Sequence, residues 1–399
     1  MPHAALDRLA RRLVPAANAP RPPFELFAIC APGLERLAAR ELESLSLTPH
    51  DITPGGVSFR GDVEAVWRAN LWLRTASRVV VRLGSFRARA LGELERRARD
   101  LPWDTVLPAR CAVRVRATAH KSRLYHTAAI AERVAASITA RVPGATFAGA
   151  AAKDETAGDA DAAHALVIVR VAHDTCLLSA DSSGDLLHRR GYRFQTAKAP
   201  MRETLAAAML LASEWDGRAP LVDPFCGSGT IPIEAALIAR RIPPGARRRF
   251  AFEQWPGFSA PRWRRMVDAA LRAASPTAPA AIHASDRDAG AIGAAHDNAD
   301  RAGVASDISF SQQPLSSLTL PREPGWIVTN PPYGVRVGDR AAARDVYQEL
   351  GRLLRGPGVE WRAVMMLADR ALGREIGVDS HRLAHTSNGG IPVDIAAFP

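Results

Sequence analysis

Hydrophobic positions along this chain change rhythm near its midpoint. Residues 24–30, FELFAIC, form a nearly continuous apolar run of strand length. Pro32-Gly33 then opens a stretch whose apolar residues Leu34, Leu37, Ala38, Leu42 and Leu45 recur at helical spacing. Gly55-Gly56 predicts a turn, VSFRG a short strand, and VEAVWRANLWL a second amphipathic helix. RVVVRLGSF alternates as a strand does. AVRVRAT, after Cys111, repeats that pattern before HKSRLYHTAAIAERVAASITARV, which becomes a helix. Residues 149–163, rich in Ala, Gly and Asp, predict a polar loop, and ALVIVRVAHDTCLLSAD reads as one strand after it. Small strands alternating with amphipathic helices predict an α+β sheet layered with helices.

From Met201 the pattern is different. RETLAAAMLLASEW reads as a helix, LVDPF as a short fully apolar strand, and IPIEAALIAR as a helix directly after a glycine-rich turn. Strand–turn–helix units recur at AIHASD and WIVTNPP, and such units build a parallel sheet with helical crossovers. The expected organisation is a flexible tail over residues 1–23, an α+β region over 24–185, a linker over 186–200 and an α/β domain over 201–399.

Composition narrows the class. Of 399 residues 47% are apolar and 23% charged, which excludes wholesale disorder, and no apolar run approaches the roughly 18 residues of a membrane-spanning helix. The Arg-bearing N-terminus lacks a compact apolar core with a cleavage site, so a cytoplasmic protein without membrane contact is expected. Cys30, Cys111, Cys176 and Cys226 lie far apart with no C-x-x-C pair, so they read as buried small hydrophobes, with neither a metal site nor a disulfide framework. The formal charge of +11 is uneven. Residues 51–150 hold 17 basic and 8 acidic side chains, whereas residues 201–399 are nearly balanced at 23 and 21. A localised basic surface is the electrostatic footprint of a polyanion partner.

Two motifs carry chemistry. In LVDPFCGSGTIPIEAA a strand ends at Asp223, Gly227 and Gly229 allow a tight backbone turn, and a helix follows whose N-terminal amides face a ligand. A nucleotide-triphosphate loop would end in Gly-Lys-Ser or Gly-Lys-Thr, and no lysine is present. An acidic strand end over a glycine turn suits a ligand with an amino acid moiety and a nucleoside. The second motif, Asn330-Pro331-Pro332-Tyr333, ends the strand WIVTN.

D-P-F-C-G-S-G-T followed much later by N-P-P-Y-G resembles the class I S-adenosylmethionine-dependent methyltransferases. AHKSRLYHTAAIAERV, LHRRGYR, APMRETLAAAML, RRFAFEQW, TNPPYGVRVGD and NGGIPVDI together resemble the THUMP-containing guanine-N2 RNA methyltransferases, above all the bacterial 23S ribosomal RNA branch. That resemblance, from about Phe24 to the C-terminus, implies a ferredoxin-like and THUMP RNA-binding region followed by a Rossmann-like domain. It also implies S-adenosylmethionine as cofactor. Asp223, Pro224, Phe225, Cys226, Gly227, Gly229, Thr230 and Arg287 would line the cofactor, Asp286 would sit by its ribose, and Gln313 by its adenine. Gln312, Gln313 and Pro314 stand where relatives carry an adenine-binding Asp, so a glutamine carbonyl is the expected acceptor.

The same resemblance assigns catalysis to Asn330, Pro331, Pro332 and Tyr333. The Asn330 side-chain carbonyl and the Pro331 backbone carbonyl would hold both hydrogens of an exocyclic amine, while two prolines stiffen the backbone and Tyr333 stacks on a flipped base. A sulfonium is a good leaving group, so neither metal nor strong base is required. Arg114, Arg116, Lys121, Arg123 and His126 are the expected phosphate contacts, and Tyr125 reads as core rather than as a stacking platform. Transfer RNA is the alternative substrate, and a non-catalytic RNA-binding protein with a degenerate pocket is a third reading. DNA adenine and protein glutamine methyltransferases share the tetrapeptide. Because the chain ends at Pro399, one modification activity is expected.

Overall fold

The computed structural model describes residues 23–151, 164–193, 201–334 and 339–399, without the side chains of residues 339 and 340. The expected tail and part of the expected linker lie outside these residues. Strands β1 (Phe24–Cys30), β2 (Pro49–Thr53), β3 (Gly56–Gly61), β4 (Ala76–Arg87), β5 (Ala112–His120), β6 (Thr146–Ala150), β7 (His164–Ala172) and β8 (Thr175–Asp181) form one sheet. Its order is β2-β3-β1-β4-β8-β7-β5-β6. Alternate residues such as Leu26, Ala28, Val79, Val81, Val167 and Val169 are buried. They face helices Glu35–Ser44, Val63–Trp72 and Thr127–Arg141, so one sheet face is covered.

The run ALVIVRVAHDTCLLSAD is not one strand. It folds back at His173-Asp174, whose φ values of 50° and 62° are both left-handed, as a two-residue hairpin turn of this kind requires. Tyr125 is also not core. It is 66% exposed on the loop between β5 and the following helix, its ring 4.0 Å from that of His126.

The second sheet contains β9 (Leu221–Asp223), β10 (Ile282–Asp286), β11 (Ile308–Gln312), β12 (Trp326–Thr329), β13 (Arg362–Leu367), β14 (His381–Asn388) and β15 (Ile391–Phe398). They run in the order β11-β10-β9-β12-β13-β15-β14. The first five are parallel, while β15 is antiparallel to both neighbours. The chain leaves β9 outward to β10 and β11, then returns to β12 on the other side. The carboxyl ends of β9 and β12 therefore flank a topological switch point, where parallel sheets bind ligands.

One face of the second sheet shares a continuous core with the first sheet, while its other face packs a separate cluster around Tyr347 and Leu350. Residues 241–280, rich in Pro, Arg and Trp, supply much of the joint. Trp67 of the first module lies 6.1 Å from Phe252, 5.6 Å from Phe258 and 6.1 Å from Trp263. Gly245 donates its N–H to the Leu71 carbonyl at 3.0 Å, and a Cβ there would come within 2.8 Å of the Asn70 carbonyl oxygen. Residues 186–193 are also packed inside. Leu187 and Tyr192 are buried, and Arg190 donates to the Arg74 carbonyl at 2.6 Å.

A buried charge cluster completes the joint. Glu234, fully buried on the helix after the glycine turn, meets Arg190 at 3.4 Å and Arg74 at 3.7 Å, and accepts from the Tyr192 hydroxyl at 3.2 Å. Removing one member of a buried ion pair strands the others, which costs about 3–5 kcal/mol. Glu234→Gln is therefore expected to lower the unfolding free energy in urea by about that much. A loss well under about 1 kcal/mol would show that this cluster does not hold the modules together.

Candidate active site

The site forms where four parallel strands end. Register sets Ala284 of β10 level with Asp223 of β9, so Asp286 stands two residues higher, and Ile327 of β12 is level with Val222. Thr329, the last residue of β12, donates its hydroxyl to Asp223 Oδ1 at 2.6 Å across the switch point. The Phe225 N–H donates to the same oxygen at 3.2 Å, starting the turn. Asp223 Oδ2 is buried and has no hydrogen-bond partner among the described residues. Burial, helped by the nearby Asp286 charge and opposed by the two hydrogen bonds, pushes the Asp223 carboxyl up to about 7. A buried acceptor without a donor is costly, and a ligand cation or N–H is the group that relieves it.

The turn between Asp223 and Thr230 is held on both sides. Cys226 N–H donates to the Ser285 carbonyl at 3.0 Å, and Asn298 Nδ2 donates to the Ser228 carbonyl at 3.0 Å. Gly229 has φ 84° and precedes the helix Thr230–Ala239 without a side-chain cap. A Cβ there would lie 3.0 Å from that of Ala295, so this glycine is needed for both its φ and its close packing. Gly227 has φ 52°, yet a Cβ on it would meet nothing within 4 Å, so its outer side faces open space. The turn thus offers a bare backbone surface beside an unpartnered carboxylate.

Asp286 is fixed at both oxygens. Oδ2 accepts from Gly227 N–H and Oδ1 from Asp288 N–H, each at 3.0 Å. The helix that follows is capped by Asp288, which accepts from Gly290 and Ala291 N–H, so Asp286 is not the cap. Each Asp286 oxygen keeps a second lone pair for a hydroxyl donor. Gln313 stands beside it, its N–H donating to the Asp286 carbonyl at 3.0 Å, while Arg287 is exposed. Pro224 and Cys226 are buried beneath the turn, and Phe225 packs on the core beside Leu315. The Thr230 hydroxyl is taken by Arg193, so Thr230 meets the site through its backbone.

On the β12 side, Asn330 Oδ1 is buried without a donor among the described residues. Pro331 is buried, Pro332 exposed and Tyr333 half-buried. The Tyr333 hydroxyl oxygen accepts from Asn388 Nδ2 at 3.1 Å and also from the amide nitrogen of Asn330, which leaves Asn330 Oδ1 unpartnered. Burial outweighs both bonds and raises the Tyr333 pKa, so the phenol stays neutral. Thr329, Asn388, Asn298 and Arg193 were not singled out from sequence. NGG between two alternating segments signals the β14–β15 hairpin, but nothing local signals that its Asn388 reaches a tyrosine 55 residues earlier.

Of the expected phosphate contacts, Lys121, Arg123 and His126 are exposed on the loop after β5, and Arg114 is half-buried in that strand. Arg116 is 6% exposed within the sheet and is withdrawn from such a role. No cluster of three His, Cys, Asp or Glu side chains suited to a metal occurs among the described residues.

Comparison with known proteins gives the family. The RMKL-like, methyltransferase domain family matches residues 190–396, and the RlmL ferredoxin-like domain matches residues 25–80. YpsC of Bacillus subtilis (strain 168), named as an RNA methyltransferase candidate, is 34% identical over 371 residues, covering 93% of this chain and 94% of its own. The ribosomal RNA large subunit methyltransferase K/L of Marinobacter nauticus is 33% identical over 93% of this chain. Only 52% of that protein is covered, so this chain spans about half its length. Among solved structures, SMU.472, described as a methyltransferase candidate and crystallised with SAH, has a TM-score of 0.83. It is 29% identical, over 95% of this chain and 98% of its own.

An ammonium contact at the unpartnered Asp223 carboxylate is expected to make cofactor binding pH-dependent. With its carboxyl near 7, Asp223 is mostly neutral in more acidic solution, and binding an ammonium group there must expel a proton. Affinity for S-adenosylhomocysteine (SAH) is expected to rise from about pH 5.5 to about pH 8, by up to about tenfold per unit below the pKa. Calorimetry in buffers of different ionisation enthalpy reads the released proton. Asp223→Asn should flatten this dependence, and a wild-type profile already flat would remove Asp223 from the ammonium contact.

Proposed function

The chain belongs to the RMKL-like methyltransferase family, whose members use S-adenosylmethionine, and from this we propose that it methylates the exocyclic N2 amine of a guanine in RNA. The favoured substrate is 23S ribosomal RNA, which the K/L relatives support by their names. The observation that carries the reaction is the buried, unpartnered Asn330 Oδ1 beside a Tyr333 ring fixed at its hydroxyl.

An exocyclic amine is a weak nucleophile because its lone pair is delocalised into the ring. Asn330 Oδ1 accepts one amine hydrogen and so turns the lone pair out of the ring plane toward the glycine turn. S-adenosylmethionine supplies, when bound, a methyl group on a positively charged sulfur. Asp223, Asp286 and Gln313 are the residues that would hold it, along the edge β9-β10-β11. The bond between Thr329 and Asp223 sets the distance between the cofactor side and the amine side.

Tyr333 gives the flipped base a stacking surface, worth about 1–3 kcal/mol. Its orientation is set by Asn388 at the hydroxyl, so the β14–β15 hairpin contributes to the base pocket. Pro331 and Pro332 limit the backbone freedom of Asn330, which keeps the acceptor aimed. The cationic loop Lys121 to His126 supports an RNA substrate by its exposure.

Asn330→Ala is expected to lower the turnover of methyl transfer to deproteinised ribosomal RNA by roughly 10²-fold or more, with SAH affinity unchanged. Undiminished turnover would discard the assignment of Asn330. Mass mapping of 23S and transfer RNA from a strain lacking the gene is expected to show one N2-methylguanosine missing from 23S RNA. A mark lost from transfer RNA alone would move the substrate there.

A further inference from the structure

The face of the first sheet opposite its helices bears arginines in register. Arg82 of β4 pairs with Ser179 of β8, Ser179 with Ile168 of β7, and Arg170 lies two residues along β7 on the same face as Ile168. Between this face and the methyltransferase domain is a cavity of about 410 Å³, lined among others by Phe27, Arg82, Ile168, Arg170, Arg202 and Ser387. Small-ligand sites measure about 300–1,000 Å³.

Elsewhere in the front module several arginines are matched with carboxylates: Arg60 with Glu25 at 2.8 Å, Arg78 with Asp181 at 2.7 Å, Arg89 with Asp174 at 3.0 Å and Arg133 with Glu95 at 3.2 Å. Arg82, Arg170 and Arg202 form no ion pair among the described residues. The Arg82 guanidinium lies 4.0 Å from the centre of the Phe27 ring and donates to Ser58 Oγ at 2.9 Å, while its Nε has no acceptor. Burial lowers the Arg82 pKa and the adjacent Arg170 charge adds to this, against the opposing pull of Glu25 and Asp51. An anion between the guanidiniums would relieve both costs.

One hairpin borders both the cavity and the candidate site: Ser387 lines the cavity, and the next residue of β14, Asn388, whose side chain points to the other face of the strand, holds the Tyr333 hydroxyl. Gly33, at the end of the β1 turn, touches the same hairpin so closely that a Cβ on it would lie 1.8 Å from the His385 carbonyl oxygen. A base turned out of its stack toward Tyr333 brings its own strand, and the neighbouring phosphate, past this point.

We infer that the cavity receives a nucleotide of the substrate RNA flanking the target guanine. Arg82, Arg170 and Arg202 share its phosphate, and Phe27 and Ile168 give its base an apolar wall. The inference rests on the RNA reading of function and adds to it a phosphate site separate from the loop after β5.

The test uses the full chain with Arg82→Ala, Arg170→Ala and the double substitution. Filter binding of deproteinised 23S RNA is followed between about 50 and about 200 mM salt. Each single substitution is expected to weaken RNA binding roughly tenfold and to reduce the salt slope by about 1, and Arg170→Lys to restore most of the loss. SAH affinity and melting temperature should stay at wild-type values. Arg170 is exposed, so its variant carries the test even if the half-buried Arg82 does not tolerate alanine. A double variant that binds and methylates RNA with wild-type affinity and salt slope overturns the inference alone. A wild-type protein that neither binds nor methylates RNA overturns the reading of function as well.

Discussion

The hydroxyl of Thr329 donating to the buried carboxylate of Asp223 joins the two halves of the site. It crosses the point where the sheet order reverses, so it links the strand that ends in the glycine turn to the strand that ends in Asn330. On either side of this bond lies a buried oxygen with no donor, Asp223 Oδ2 and Asn330 Oδ1. A folded protein leaves few such atoms unsatisfied, because each costs about 1–3 kcal/mol. Two of them flank one switch point, and the proposed function assigns one to a ligand ammonium and the other to a substrate amine.

The front module is joined to this site rather than tethered to it. Glu234 stands one turn into the helix that follows the glycine turn, and its counter-charges Arg74 and Arg190 come from the first module and from the segment after β8. Any shift of the front module therefore strains the helix that carries the cofactor turn. The basic surplus of residues 51–150 also has a more specific meaning in three dimensions. Arg74, Arg78, Arg89, Arg97, Arg99, Arg133 and Arg141 are committed to carboxylates. Others of that stretch, among them Arg82 in the interdomain cavity and Lys121 and Arg123 on the loop after β5, form no ion pair among the described residues.

Much of this was legible in the sequence, for physical reasons. LVD and WIVTN are largely apolar runs ended by a polar residue, and buried parallel strands read that way because both faces are covered. Gly227 and Gly229 announce a turn with positive φ, and the structure has both. Local signals failed where the deciding interaction is distant. His173-Asp174 lacks the Asn-Gly signature of its turn, so two strands read as one. Tyr125 has the composition of a core residue and Arg116 that of a surface one, yet sheet register and loop geometry reverse them. Asn388 reaches Tyr333 only after β14 and β15 have added to the far edge of the sheet, which no local periodicity encodes.

The central claim is that the unpartnered Asn330 oxygen receives a guanine amine. Nucleoside mass spectrometry of ribosomal RNA incubated with the purified protein and S-adenosylmethionine tests it most directly. The account predicts N2-methylguanosine as the one new methylated nucleoside. A product methylated on adenine, on a ribose hydroxyl or on a ring carbon would contradict it.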